Sequence, residues 1–305
     1  MPVSQLKRLA CTEVWGGNRH IDSELALPGF QGYLYSQPCG SDRGGDVVYI
    51  TACGSGVIAR ICLADVTGHG DQVAQISEWL QEVLRIKINH ISPVRVFNEL
   101  NSRIVQRGLE AMATALCISY NAFFRRLHMC HAGHPFILKY SVAEDRWRRL
   151  FPERTDSKDE GFRNAIFGVS PRVTFDLVRC DIAPGDRVVL FSDGVLDAPA
   201  PAMELFGEHR LLDLLHQHRH ASDRELVSLT IEAIKAFAAQ DPMTHDDVTV
   251  MALTAENQPR LEVMWQMMKN RMAGLRCAIL GGDPPLAGAR RSGDGSKLDE
   301  ADSSA

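Results

Sequence analysis

Four acidic positions in this sequence begin or end hydrophobic runs. Asp46 opens DVVYI directly after Gly44-Gly45, and Asp65 closes RICLAD ahead of VTGHG. Asp193 closes RVVLFSD ahead of Gly194, and Asp246-Asp247 precede VTVMALT. A carboxylate at the buried end of a strand is costly unless it is paired, hydrogen-bonded or bound to a cation. Adjacent glycines let a ligand or another backbone approach closely. If the strand ends converge, the carboxylates repel one another, and divalent cations resolve that repulsion. Hard oxygen donors suit Mg2+ or Mn2+ over zinc or copper. Taken singly, each Asp also fits an ordinary turn beside a strand.

Other residues with chemical potential are weaker signals. His131 and His134 flank Ala-Gly in CHAGHP, a spacing open to a metal pair or to a plain turn. His216, His218 and His220 alternate at a helix end, where they fan over different faces. Asp197, four residues after Asp193, fits a further cation ligand or an exposed turn. The eight cysteines are scattered without a CxxC pair, which argues for reduced, buried thiols and against a structural zinc site.

The elements that must position these groups are readable from periodicity. Residues 1–29 read as a lead-in without clear period. GYLYSQP, DVVYITAC and VIARICLADV then read as strands separated by Gly-containing segments, as in hairpins. GHG breaks the pattern at 68–70. Apolar residues at 73, 76, 80, 83, 84 and 88 form a helical stripe. Ser92-Pro93 starts a second helix that Gly108 closes. ATALCISY, RRLHMCHAG and PFILKY return to strand patterning, 152–165 reads as a charged surface loop, and TFDLVRCDI and DRVVLFSD follow around Ala183-Pro184-Gly185. Helices near 206–216 and 223–239 precede a last strand at 247–254. Hairpin-linked strands between helix pairs argue for an α+β fold of antiparallel sheets packed against helices. Residues 30–255 thus form one domain, 256–280 a short Met-rich helix, and 281–305 a Gly, Ser and Asp-rich tail expected to be disordered.

Composition narrows the class. The chain has 305 residues, 45% of them hydrophobic and 23% charged, enough to fill a core. Its formal charge of −5 lacks the basic footprint of a nucleic-acid binder. No run reaches a membrane span and the N-terminus lacks a signal-peptide core, so the expectation is a cytoplasmic protein without nucleic-acid or membrane partners.

The ordered segments RGGDVVYI (43–50), LADVTGHG (63–70), ATALCISY (113–120), CHAGHPFIL (130–138), VVLFSDGVLDA (188–198) and HDDVTVMAL (245–253) resemble the metal-dependent protein phosphatase family, specifically its bacterial SpoIIE/RsbU-like branch. The resemblance covers about residues 30–254, and TEVWGGN (12–18) is similar to the leader of some members. It implies a four-layer α-β-β-α sandwich, two antiparallel sheets flanked by helix pairs. It also implies two Mn2+ or Mg2+ ions, held by Asp46, Asp65, the Val66 backbone carbonyl, Asp193 and Asp246, with Asp247 a lesser candidate because many relatives carry Asn there. The implied activity is hydrolysis of phosphoserine or phosphothreonine on a regulatory protein, such as an anti-sigma factor antagonist, by a hydroxide bridging the two metals. Animal-type relatives carry a histidine two residues after the bridging aspartate, where this chain has Thr67. His69 is then the candidate proton donor, and Arg43, three residues before Asp46, the candidate phosphate holder; a solvated loop role is the alternative for each. The resemblance also points to helices 71–107 as the contact for a regulatory partner or a dimer. A partner-binding module of the same fold and a small-molecule phosphomonoesterase are the competing readings. Retention of all four aspartates argues against the former, since binding alone does not need them.

Overall fold

The computed structural model describes residues 11–53, 55–66, 71–88, 92–108, 112–150, 162–239, 243, 245–259, 261–265, 268–269 and 272. Among these, the strands form two six-stranded antiparallel sheets. The first runs in the order β1 (Cys11–Gly17), β4 (Asp46–Cys53), β5 (Ile58–Val66), β6 (Ala113–Asn121), β7 (Arg126–Ala132) and β10 (Val178–Asp181). The second runs β2 (Ile21–Leu27), β3 (Phe30–Gln37), β12 (Val248–Ala255), β11 (Arg187–Phe191), β8 (Leu138–Ser141) and β9 (Arg146–Arg149). Helices α1 (Asp71–Lys87) and α2 (Pro93–Arg107) cover the first sheet, and α3 (Gly207–Gln217) and α4 (Asp223–Ala238) the second. This is the four-layer α-β-β-α sandwich.

Both faces of the central strands are buried, which is why they read as continuous apolar runs rather than alternating ones. In β4, Val48 and Ile50 join Leu34, Leu63, Leu190 and Met251 between the sheets, while Val47 and Tyr49 join Leu80, Leu84 and Phe97 under α1 and α2. Phe191 and Val250 pack outward against Leu211, Leu226 and Ile234 of α3 and α4. Cys62, Cys117 and Cys130 face one another across β5, β6 and β7, buried and unbridged, as inert apolar residues. No helix among the described residues is long and apolar enough to cross a membrane.

Three expectations change. The stretch 1–29 is not only a lead-in: β1 and β2 lie within it, and Ile21, Leu25 and Leu27 enter the inter-sheet core. Only alternate residues of β2 are buried, so its apolar signal is thin. Strands β3 and β4 do not form a hairpin; the chain crosses between sheets there, and again between β10 and β11, although Asp186 N–H does close the 183–186 turn onto the Ala183 carbonyl at 3.0 Å. Strand β9 (RWRR) has too few apolar residues to announce itself. The proposed surface loop at 152–165 lies mostly outside the described residues, as does the tail at 281–305.

Because β2 supplies core residues and an edge, a chain starting at residue 30 is expected to lose cooperative thermal unfolding. Circular dichroism melts of the two lengths check this; an unchanged melting temperature contradicts the packing described.

Candidate metal centre

The sequence-predicted aspartates gather at one end of the sandwich. Asp46 at the start of β4 stands opposite Asp65 at the end of β5 in the strand register. From the facing sheet, Phe191 leads into a 3-10 turn at Asp193–Val195, beside Asp246-Asp247 at the start of β12. A buried hydroxyl layer seals the apolar interior beneath them. Thr249 Oγ1 donates to Asp46 Oδ2 at 2.6 Å across the two sheets, and so must accept from Ser36 Oγ at 2.8 Å. Ser192 Oγ accepts the Thr249 N–H at 2.9 Å. The other Asp46 oxygen, Oδ1, is buried without a protein partner.

Asp247 does a different job from its neighbour. Its carboxylate accepts the backbone N–H of Cys39 at 2.5 Å, of Asp46 at 3.0 Å and of Gly45. It therefore folds the 38–46 loop around itself rather than presenting free oxygens. A Cβ on Gly44 would stand 2.3 Å from Asp247 Oδ2, so only glycine fits there. Gly194 is equally confined, since a Cβ would fall 2.1 Å from the Asp247 carbonyl oxygen. Sequence reading missed His245, whose Nε2 lies 2.8 Å from the Gly194 carbonyl. A carbonyl only accepts, so Nε2 carries the proton, and the ring ties the Asp193 turn to the Asp246 strand end. Its position next to the two aspartates was the available signal.

The electrostatics are those of a crowded anionic site. Burial, then Asp193, Asp246 and Asp247, pushes Asp65 up to about 8. Burial, Asp65 and Asp247 hold Asp46 well above the carboxylate range, against hydrogen bonds from Thr249 and Ser192. Asp193 is raised by burial, Asp246 and Asp197, and Asp246 is raised chiefly by burial. Among the described residues, no three His, Cys, Asp or Glu side chains converge on one point in ligating geometry. The donor chemistry nonetheless fits divalent cations: hard oxygens, mutual repulsion and an orphaned buried carboxylate oxygen. The Val66 carbonyl lies on the same side as Asp65, since a Cβ on Gly45 would lie 2.8 Å from that oxygen and 3.2 Å from Asp65 Oδ1.

The remaining candidates separate. Arg43 is ion-paired with Glu78 on α1, and the same helix reaches the loop again through Ser77 Oγ, which lies 3.2 Å from the Gly45 carbonyl. His134 Nδ1 meets Thr114 Oγ1 at 2.9 Å, and Thr114 stands opposite Asp65 in the β5–β6 register. Burial pushes His134 down to about 3, so it stays neutral and braces the site. Asp197 is tied by its N–H to the Asp193 carbonyl at 2.9 Å and adds to the charge on Asp193. His69 lies outside the described residues.

Comparison with known proteins bears on the fold and the family. The family model for stage II sporulation protein E (SpoIIE) matches residues 58–256. The phosphoserine phosphatase RsbU of Bacillus subtilis is 25% identical over 197 residues, 64% of this chain and 55% of that protein. The chain thus spans about half the length of that curated relative. A solved structure of the RsbU and RsbW domains of Rv1364c from Mycobacterium tuberculosis superposes with a TM-score of 0.64 at 20% identity, covering 79% of this chain and 64% of that one. RsbX in complex with magnesium gives 0.56 at 14% identity, covering 77% of this chain and 100% of that one.

Two outcomes follow from the geometry. Aspartates raised on folding stabilise the chain most where they are protonated, and that stabilisation is lost as pH rises from the unfolded value through about 8. In EDTA the melting temperature should therefore fall between about pH 5 and 9, and Asp65→Asn should flatten the slope; a flat wild-type profile contradicts the crowding. His245→Ala should weaken cation binding by roughly tenfold, while His245→Gln, which keeps a donor in place, should restore most of it. Equal binding by both variants, read by calorimetry, contradicts the tether.

Proposed function

The chain belongs to the SpoIIE family, and on that premise we propose that it is a divalent-cation-dependent protein serine/threonine phosphatase. The observation that carries the reading is the pairing of Asp46 with Asp65. A buried carboxylate oxygen without a partner faces a second carboxylate already crowded by Asp193 and Asp246. The reading assigns two cations, Mn2+ or Mg2+, to Asp46, Asp65, the Val66 carbonyl, Asp193 and Asp246, with Asp247 holding the loop. Cations there would lower the pKa of a water to near neutrality and clamp phosphate oxygens for in-line displacement.

The chain's own groups supply the rest. Thr249 holds the Asp46 carboxylate and is itself held by Ser36 and Ser192, which limits its reorganisation when phosphate arrives. Arg43, exposed at the rim, can turn from Glu78 to a phosphate dianion. The proposed substrate is phosphoserine or phosphothreonine on a regulatory protein, such as an anti-sigma factor antagonist. RsbU carries the description phosphoserine phosphatase, which supports that class. Control is proposed to act through α1 and α2, by a partner or a dimer contact. Helix α1 grips both Arg43 and Gly45, so its displacement would reach the residues beside Asp46.

Turnover of para-nitrophenyl phosphate and of a phosphoserine peptide, with and without Mn2+, tests the reading. Activity should require the cation and fall by at least about a hundredfold in Asp193→Asn. Undiminished activity in that variant would remove the site assignment, and no activity with any divalent cation would favour a partner-binding module.

A further inference from the structure

Strand β12 runs away from the metal centre, so the chain beyond Ala255 emerges at the opposite end of the sandwich. Residues 261–265 are helical there, as are Met268, Lys269 and Met272. The first turn is set by Pro259, whose carbonyl accepts Glu262 N–H at 2.9 Å and Val263 N–H at 3.2 Å. Val263 is 4% exposed and packs into the inter-sheet core. Leu261, Trp265, Met268 and Met272 are 68%, 57%, 43% and 58% exposed. At 3.6 residues per turn these four fall within about 60° of arc, on the side opposite Val263. The helix is thus fastened by its back and shows an apolar stripe to solvent. Phe124, in the β6–β7 turn at the same end, is also 65% exposed.

The spacing of four, three and four residues is that of a two-helix seam, narrower than the stripe of a helix lying on a core. We propose that this stripe is a homodimer contact, pairing with the same stripe of a second copy in antiparallel register about a two-fold axis. That register sets Leu261 against Met272 of the partner subunit and Trp265 against Met268 of the partner subunit, and the reverse by symmetry. All four apolar residues are then used. Glu262 and Lys269 flank the seam on one side, seven residues apart. The antiparallel register places Glu262 beside Lys269 of the partner subunit, twice. Parallel pairing would instead bring Lys269 against Met264 and form no ion pair. The described helical residues are few for an isolated seam, but Val263 already anchors them to the core, which lowers the cost of association. The two metal centres would point outward, open to substrate. This contact is separate from the regulatory one proposed at α1 and α2 and does not rest on the phosphatase reading.

Sedimentation equilibrium of the full chain over a concentration series tests it, with thermal melts as a folding control. Wild type should show a monomer–dimer equilibrium, and Trp265→Glu should be monomeric with an unchanged melt. Glu262→Lys and Lys269→Glu should each weaken the dimer roughly tenfold, and the double exchange should restore it. A wild-type monomer at every concentration overturns the proposal. So does a dimer indifferent to all these changes, or a monomer that instead floats with anionic phospholipid vesicles through this stripe.

Discussion

Four carboxylates from two facing sheets must share one end of an apolar interior, and much of the structure at that end answers to their repulsion. Asp46 sits at the limit of the inter-sheet core, with one oxygen held by Thr249 and the other without a protein partner. Leaving such a group in a low-dielectric site costs several kcal/mol unless it is neutralised. Asp65 and Asp247 add like charge to it, Asp193 and Asp246 crowd Asp65 in turn, and the protonation of Asp65, Asp193 and Asp246 is displaced upward together. Protons or cations must balance this set, and the choice between them is what couples the site to its ligands.

The scaffold concentrates its polar contacts where the sheets would otherwise part. Ser36, Thr249 and Ser192, all buried, join β3, β12 and the end of β11 and extend one hydrogen bond to the opposite sheet. Asp247 gathers three amides of the 38–46 loop, and Gly44 and Gly194 make room for it. Adjacent aspartates thereby differ in their contacts: both add charge to the cluster, but only the Asp247 carboxylate also gathers the amides of the loop. His245 and His134 act as struts at the two flanks. Helix α1 touches the same loop, so the outer layer is mechanically connected to the carboxylates.

Asp46, Asp65, Asp193 and Asp246 could be picked out in the sequence because each begins or ends a long apolar run, with a glycine adjacent to Asp46 and Asp193, a local pattern. The double burial of β4, β5, β6, β11 and β12 was visible for the same reason. What could not be read depended on distant partners. Asp247 looks like a ligand until the loop about two hundred residues earlier is seen wrapped around it. Thr249 and Ser192 look like ordinary strand and turn residues, and Arg43 gives no hint of Glu78. Hairpin logic failed between β3 and β4, and between β10 and β11, because a short connection can cross between sheets as easily as it can reverse within one. Strands β1, β2 and β9 were missed; β2 and β9, at sheet edges, bury too little to impose a strong period.

The central claim is that Asp65, crowded by its neighbours, holds a proton which a divalent cation must displace. Titration of Mn2+ into the protein near pH 7, by calorimetry in buffers of different ionisation enthalpy, reads that exchange directly. With Asp65 raised to about 8, binding should release about one proton per chain or more, and the release should vanish well above that pH. Cation uptake with no proton release at pH 7, or no uptake at all, would contradict the account.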